Sequence, residues 1–243
     1  MADYEEQVKQ QLAQWRQKML RKPSLVNRVT RRMQTKVNSL IPEKVHQAIT
    51  AAIRQMIHGV LFGAKHTTAA PLQQQPLAVR ETMITEKIGQ YRKAAAAEGG
   101  ITGAGGLLMG LADFPLLISI KIKLLYTIAA LYGYEVDKYK ERVFLLYIFQ
   151  LAFSSQEHRR QIYQKMVNWK EQSGQLPGSL DAFDWRTFQQ EYRDHIDLAK
   201  MAQLVPIIGA PVGAVVNYRL IKKLGDTAMN AYRMRWLEDG RTS

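Results

Sequence analysis

The chain has 243 residues, 47% of them hydrophobic and 23% charged, an ordinary globular balance that leaves room for a sizeable core. Its 34 Lys and Arg against 21 Asp and Glu leave a net charge of +13, which favours polyanionic partners such as phospholipid headgroups, nucleic acid or acidic protein. Having no cysteine excludes disulfides, thiolate nucleophiles and thiolate metal sites, and the acidic start Met1-Ala2-Asp3-Tyr4-Glu5-Glu6 lacks the apolar run of a secretory signal, so a cytoplasmic location is expected.

Apolar residues recur with a period near 3.6 and almost nowhere with a period of 2, so the predicted fold class is all-α, a multi-helix bundle. Tyr4, Val8, Leu12, Trp15 and Met19 line one face of a first helix that Pro23 stops; Leu25, Val29, Met33, Val37 and Leu40 line a second. Lys9, Arg16, Lys18, Arg28, Arg31 and Arg32 fall outside those stripes and are candidates for contact with an anionic surface. Residues 1–65 hold 12 Lys and Arg against 4 Asp and Glu, most of the chain's positive excess. Pro42 suits the first turn of a third helix, with Val45, Ile49, Ile53, Met56 and Val60 in its stripe. Two prolines and a glutamine run make 66–76 a connector, and a fourth helix is predicted from about Leu77 to Glu98, closing in the alanine run 94–97.

The stretch 99–120, GGITGAGGLLMGLADFPLLISI, is the most unusual in the chain, with Asp113 its only charge. A helix around Val143 to Phe153 follows. Ser154, with Glu157 three residues on, then has the pattern of a capping box opening a helix that bears Ile162, Met166 and Trp169. The loop 173–183 contains Gly174, Pro177 and Gly178, after which Asp184 can cap a helix with Trp185, Phe188, Tyr192 and Ala199 on one side. A second apolar stretch, 204–216, leads into a basic amphipathic helix ending near Trp236.

Neither apolar stretch reads as a membrane span. A spanning helix needs about 20 continuous apolar residues, whereas Asp113 and Pro115 interrupt the first stretch and the second is too short. Close helix packing accounts better for the glycines. Gly99 and Gly103, Gly106 and Gly110, and Gly209 and Gly213 sit four apart, each pair opening a groove where a second backbone can come nearer than the usual axis separation of about 8–10 Å. A glycine-rich central helix pair is therefore expected, about 99–112 against about 208–218. Asp113 reads as the cap of the next helix, with Pro115 in its first turn. The functional alternative is a carboxylate with Asn217, Tyr218 or Arg219 as partner.

Signatures of chemistry are missing from the pattern. His46, His58, His66, His158 and His195 show no H-E-x-x-H and no compact ligand spacing, so neither a metal nor a cofactor is expected. Leu108 stands where a dinucleotide fingerprint needs its third glycine, and no Gly-Lys-Ser/Thr follows. Without a G-x-S-x-G elbow or paired carboxylates, no catalytic residue is nominated, although a site assembled from distant residues around Asp113 stays open. Trp15, Trp169, Trp185 and Trp236 sit at helical spacing beside apolar neighbours and read as core.

Taken together, the run 99–117 and the Tyr132-Gly133-Tyr134 that follows resemble the signature of the EcsC family, bacterial proteins named from a gene beside an ABC transporter. Lys22-Pro23-Ser24, Ile41-Pro42-Glu43-Lys44-Val45-His46, Leu204-Val205-Pro206-Ile207-Ile208-Gly209-Ala210, Asn217 and the helix Ala228 to Arg235 agree with it. The resemblance implies one continuous helical domain over 1–243, with basic amino-terminal helices over 1–65, the connector 66–76, and a glycine-rich core with carboxy-terminal helices over 77–243. Its motif positions Gly103, Gly106, Gly110, Asp113, Pro115, Gly133, Pro206, Gly209 and Asn217, with Gly213 from the glycine spacing, are structural or ligand-binding candidates. The family carries no established catalytic residues, and its gene neighbourhood implies a link to transport or secretion. The expected function is a non-enzymatic binding module peripheral to the cytoplasmic face of the membrane, with an anionic membrane surface or a membrane transporter as partner. The alternative is a carrier for a lipid or small apolar ligand; no specific nucleic acid is expected, because no recognition helix or aromatic platform is legible.

Overall fold

The computed structural model describes residues 2–22, 43–104, 114–176, 178–192 and 209–241. Among these, every regular element is helical. In chain order they are α1 (Ala2–Leu20), α2 (Glu43–Thr67), α3 (Leu77–Ala104), α4 (Phe114–Leu131), α5 (Tyr139–Ala152), α6 (Gln156–Met166), the single turn α7 (Trp169–Gln172), α8 over 185–192, and α9 (Gly209–Glu238). The second predicted helix, over 25–40, lies outside the described residues. Among the described residues, no helix is long and apolar enough to cross a membrane.

The centre of the fold is the antiparallel pair α3 and α9, the two longest helices described and the two in most extensive contact. α4 packs against both and against α2, while α5 joins α4 and α9 to α6. α4 is buried on nearly all sides, with Ile118, Ile122, Leu125, Tyr126 and Ala129 in the core, as its near-continuous apolar sequence requires. α1 lies over α6 and α9 and buries Val8, Trp15 and Met19, with Tyr4 and Leu12 half-buried, the face read from sequence. Its last carbonyls are capped from another helix: the Gln156 side-chain amide donates to the carbonyls of Lys18, Met19 and Arg21 at 3.1, 3.3 and 3.1 Å, satisfying acceptors that a helix end otherwise leaves open. The end of α1 is thereby pinned to the start of α6.

Two boundaries and one buried face differ from the sequence reading. α3 does not close at Glu98 but runs through Gly99, Gly100 and Gly103; tertiary packing against α9 outweighs the roughly 1 kcal/mol that each interior glycine costs. α6 is capped by Ser155 and not by Ser154, its hydroxyl accepting from the His158 amide at 3.4 Å. Ser154 is buried and donates instead to the Gln150 carbonyl at 2.6 Å, at the end of α5. In α2 the deepest residues are Ile53, Ile57 and Leu61, while Met56 and Val60 are half-buried; the Tyr126 hydroxyl of α4 donates to the Leu61 carbonyl at 3.1 Å and holds that face inward. Asp184 does cap α8, accepting from the Thr187 amide at 3.0 Å. The four tryptophans are all buried.

Candidate functional site

The glycine contact between α3 and α9 is a backbone contact. A Cβ on Gly99 would stand 2.5 Å from the Gly213 carbonyl oxygen and 2.5 Å from the Asn217 side-chain nitrogen, separations that no side chain can occupy. One step along, a Cβ on Gly100 would meet the Ala214 Cβ at 4.0 Å, an ordinary contact. Gly213 and Asn217 are buried here. Farther along the same pair, Gly225 leaves space that Ile88 fills, with its Cδ1 2.6 Å from where a Cβ would stand. Between them the Arg92 guanidinium lies 3.8 Å from the centre of the Tyr218 ring, while Arg219 is exposed.

At the opposite end of the pair, Tyr132-Gly133-Tyr134 closes α4. Gly133 has φ +85°, the left-handed conformation that favours glycine. Its amide donates to the Ala130 carbonyl at 2.9 Å and that of Tyr134 to the Ala129 carbonyl at 3.0 Å, the two bonds of a Schellman cap. Further donors reach this end from elsewhere. The Leu72 amide donates to the Ala130 carbonyl at 2.8 Å, and the buried Arg80 to the carbonyls of Leu131, Leu72 and Gln75 at 2.7, 2.8 and 2.7 Å. A cation at a helix carboxy terminus is favourably placed against the helix dipole. A Cβ on Gly133 would also press on the Leu72 oxygen at 2.9 Å.

The two tyrosines flanking Gly133 bracket Tyr232 of α9, with ring centres 5.2 and 5.3 Å away. Beneath them run two buried ion pairs. Arg233 is bidentate to Glu81, whose carboxylate also accepts from the hydroxyls of Tyr4 and Tyr132. Arg235 pairs with Glu141 at 2.6 Å, and the Tyr232 hydroxyl donates to the same carboxylate. Burial, with the field of the adjacent carboxylate, raises the Tyr132 and Tyr232 hydroxyls well above their ordinary value, so both stay protonated and act as donors. Burial likewise lifts Tyr4 to about 12. These clusters satisfy every oxygen of two buried carboxylates, an arrangement suited to holding helices in register.

The cations of α1 divide by position. Lys9, Arg16 and Lys18 are exposed, and Lys9 stands 3.9 Å from Glu6. Near the capped end of α1, Lys18 comes close enough to Lys223 of α9 to act on its ammonium, as Arg159 of α6 does. Arg28, Arg31 and Arg32 lie outside the described residues. Among the described residues no group of three or more His, Asp or Glu is placed to hold a metal ion.

The sequence profile of the EcsC protein family matches residues 6–237. The chain belongs to the EcsC protein family. It is 41% identical over 236 residues to Protein EcsC of Bacillus subtilis (strain 168), a match covering 95% of each chain. It is also 31% identical over 165 residues to the Uncharacterized protein YdbA of the same organism, covering 68% of this chain and 60% of the relative. No solved structure matches it.

Among the positions that carry the EcsC resemblance, Asn217 comes together with Gly213 opposite Gly99. Gly103 lies in the last turn of α3, Pro115 is the second residue of α4, and Gly209 begins α9. Gly133 belongs to the other end of the α3 and α9 pair. Gly106, Gly110, Asp113 and Pro206 lie outside the described residues. Sequence reasoning passed over Glu81, Glu141, Arg233 and Arg235, because partners far apart in the chain leave no local pattern. It also passed over Arg159 and Lys223. The usable signal for Lys223 was its place one residue before the core position Leu224, in a helix otherwise read as basic on its outer face.

Proposed function

We propose that this EcsC protein is a helical binding module that works at an anionic membrane surface, with α1 as its contact element. The observation that carries this reading is the exposed trio Lys9, Arg16 and Lys18, which flank the buried stripe of α1, Lys9 and Arg16 on one side and Lys18 on the other. Such a helix presents charge without giving up its packing. Cations near an anionic leaflet gain about 1 kcal/mol each, so three act together as a weak, salt-sensitive anchor. The excess of Lys and Arg over Asp and Glu in residues 1–65 supports an anionic partner for this part of the chain. Association with a transport or secretion system, implied by the family's gene neighbourhood, and a position at the cytoplasmic leaflet belong to the same proposal.

Flotation with vesicles tests it. The protein is expected to float with vesicles rich in anionic phospholipid at low salt, not with purely zwitterionic ones, and to be released as salt rises. The triple variant Lys9→Gln, Arg16→Gln, Lys18→Gln should weaken that partitioning on the order of 100-fold. Equal behaviour with both vesicle types, or an unchanged triple variant, would overturn the reading.

A further inference from the structure

A groove of about 520 Å³ runs between α1, α6 and α9, within the size range of about 300–1,000 Å³ typical of small-molecule sites. Five cations line it, Lys18, Arg159, Lys222, Lys223 and Arg233, against one carboxylate, Asp226. Lys222 pairs with Asp226, and Arg233 with Glu81. Lys223 also has the Phe153 ring 6.0 Å from its ammonium. Lys18, Arg159 and Lys223 come from three different helices and line the groove together.

Each of the three is positioned differently. Arg159 is fixed by donating to the carbonyls of Leu151 and Ser154 and to the Gln156 side chain, at 2.9, 3.0 and 3.0 Å. All three acceptors are neutral, and the carboxylate whose field reaches it is Glu191, itself held by the Ser155 amide at 2.8 Å. Lys18 is exposed at the mouth, on the turn of α1 that Gln156 pins to α6. Lys223 is on the floor; burial, then Arg159, then Lys18 depress its ammonium to about 8. Bringing like charges together costs free energy, and a dianion set among them relieves it. A phosphate monoester fits this chemistry, with nearly two negative charges near neutral pH and three acceptor oxygens, against an arginine and two lysines. Bare phosphate would leave most of the groove empty, and Trp15 and Met19 add apolar wall beside the cations.

We propose that the groove between α1, α6 and α9 binds a phosphate monoester, its dianionic group held by Lys18, Arg159 and Lys223 and its organic part laid against Trp15 and Met19. The site shares Lys18 with the membrane reading but does not depend on it, because a soluble phosphate ester can fill the groove in a protein that ignores vesicles. The ester has two sources, the headgroup of a phosphatidic acid or a free phosphorylated small molecule.

Titration calorimetry on the full chain at low salt, with glycerol 3-phosphate and with dihexanoyl phosphatidic acid kept below its micelle concentration, tests the site and separates the sources. Binding of either supports the proposal, and the tighter of the two names the source. Lys18→Gln and Lys223→Met should each weaken binding tenfold or more. Lys9→Gln, which removes the same charge from α1 outside the groove, should leave it unchanged. Lack of binding by both probes, or an equal loss in Lys9→Gln and Lys18→Gln, would overturn it; thermal melts of each variant confirm that folding is retained.

Discussion

The same two helices meet in opposite ways at their two ends. At one end, α3 and α9 are joined through side chains: Glu81 and Arg233 form a bidentate pair, Tyr4 and Tyr132 donate into it, and Tyr232 stacks between the tyrosines that flank Gly133. At the other end Gly99 rests directly on the Gly213 backbone, with the Asn217 side chain beside it. The contrast teaches that specificity and proximity are separate devices. Buried charges with fixed partners tolerate only one register, whereas facing glycines set how near the axes come.

The largest expected effect breaks the charged end. Arg233→Met leaves Glu81 charged and buried, and should cost about 3–5 kcal/mol in urea unfolding. The double variant Glu81→Met, Arg233→Met should recover much of that loss, because the penalty comes from the orphaned charge and not from the missing pair. A double variant as unstable as Arg233→Met would show that the geometry of the pair itself is needed.

Next in size is the glycine end. Gly99→Ala places a methyl 2.5 Å from the Gly213 oxygen, a backbone atom that cannot swing aside, and should destabilise by about 1–3 kcal/mol. Gly59→Ala in α2, where nothing lies within 4 Å, should do the reverse and stabilise by roughly 0.5–1 kcal/mol. If both substitutions stabilise alike, the close approach is not there.

The smallest effect lies between the two ends, at Lys223. Its folded pKa, about 8, is below that of an unfolded lysine, so the unfolded chain binds more protons above pH 8 and stability should rise with pH from there. The groups facing it are Lys18 on α1, Arg159 on α6, and Lys222, Asp226 and Arg233 on α9. Above about pH 10 the buried tyrosines oppose the rise, because their raised values let the unfolded chain lose protons first. Melting curves between pH 8 and about 10 should show the rise in the parent protein and a flatter profile in Lys223→Met.

What could be read from sequence followed from local periodicity. α1 was legible residue by residue, since Val8, Trp15 and Met19 recur on one face of a helix with solvent on the other. The facing of Gly99 and Gly213 was legible because each belongs to a pair of glycines four apart, which clears one face of a helix for a second backbone. Gly225 was not, because it stands alone and its reason is the Ile88 side chain on another helix. The Glu81 to Arg233 pair spans 152 residues, and nothing near either residue announces the other. The groove cations escaped for the same reason: Lys18 was visible as charge on α1, but its meeting with Arg159 and Lys223 depends on Gln156 tying α1 to α6.

The central architectural claim is the direct approach of α3 and α9 at the glycine end, and the absence of cysteine from the chain makes it open to a clean test. Cysteines placed by Gly100→Cys and Ala214→Cys would have Cβ atoms 4.0 Å apart, inside the range of about 3.5–4.5 Å that a disulfide requires. Under mild oxidation the pair should close within a single chain, seen as a faster-migrating band that dithiothreitol reverses. A folded double variant whose two thiols both stay free to alkylation would contradict it.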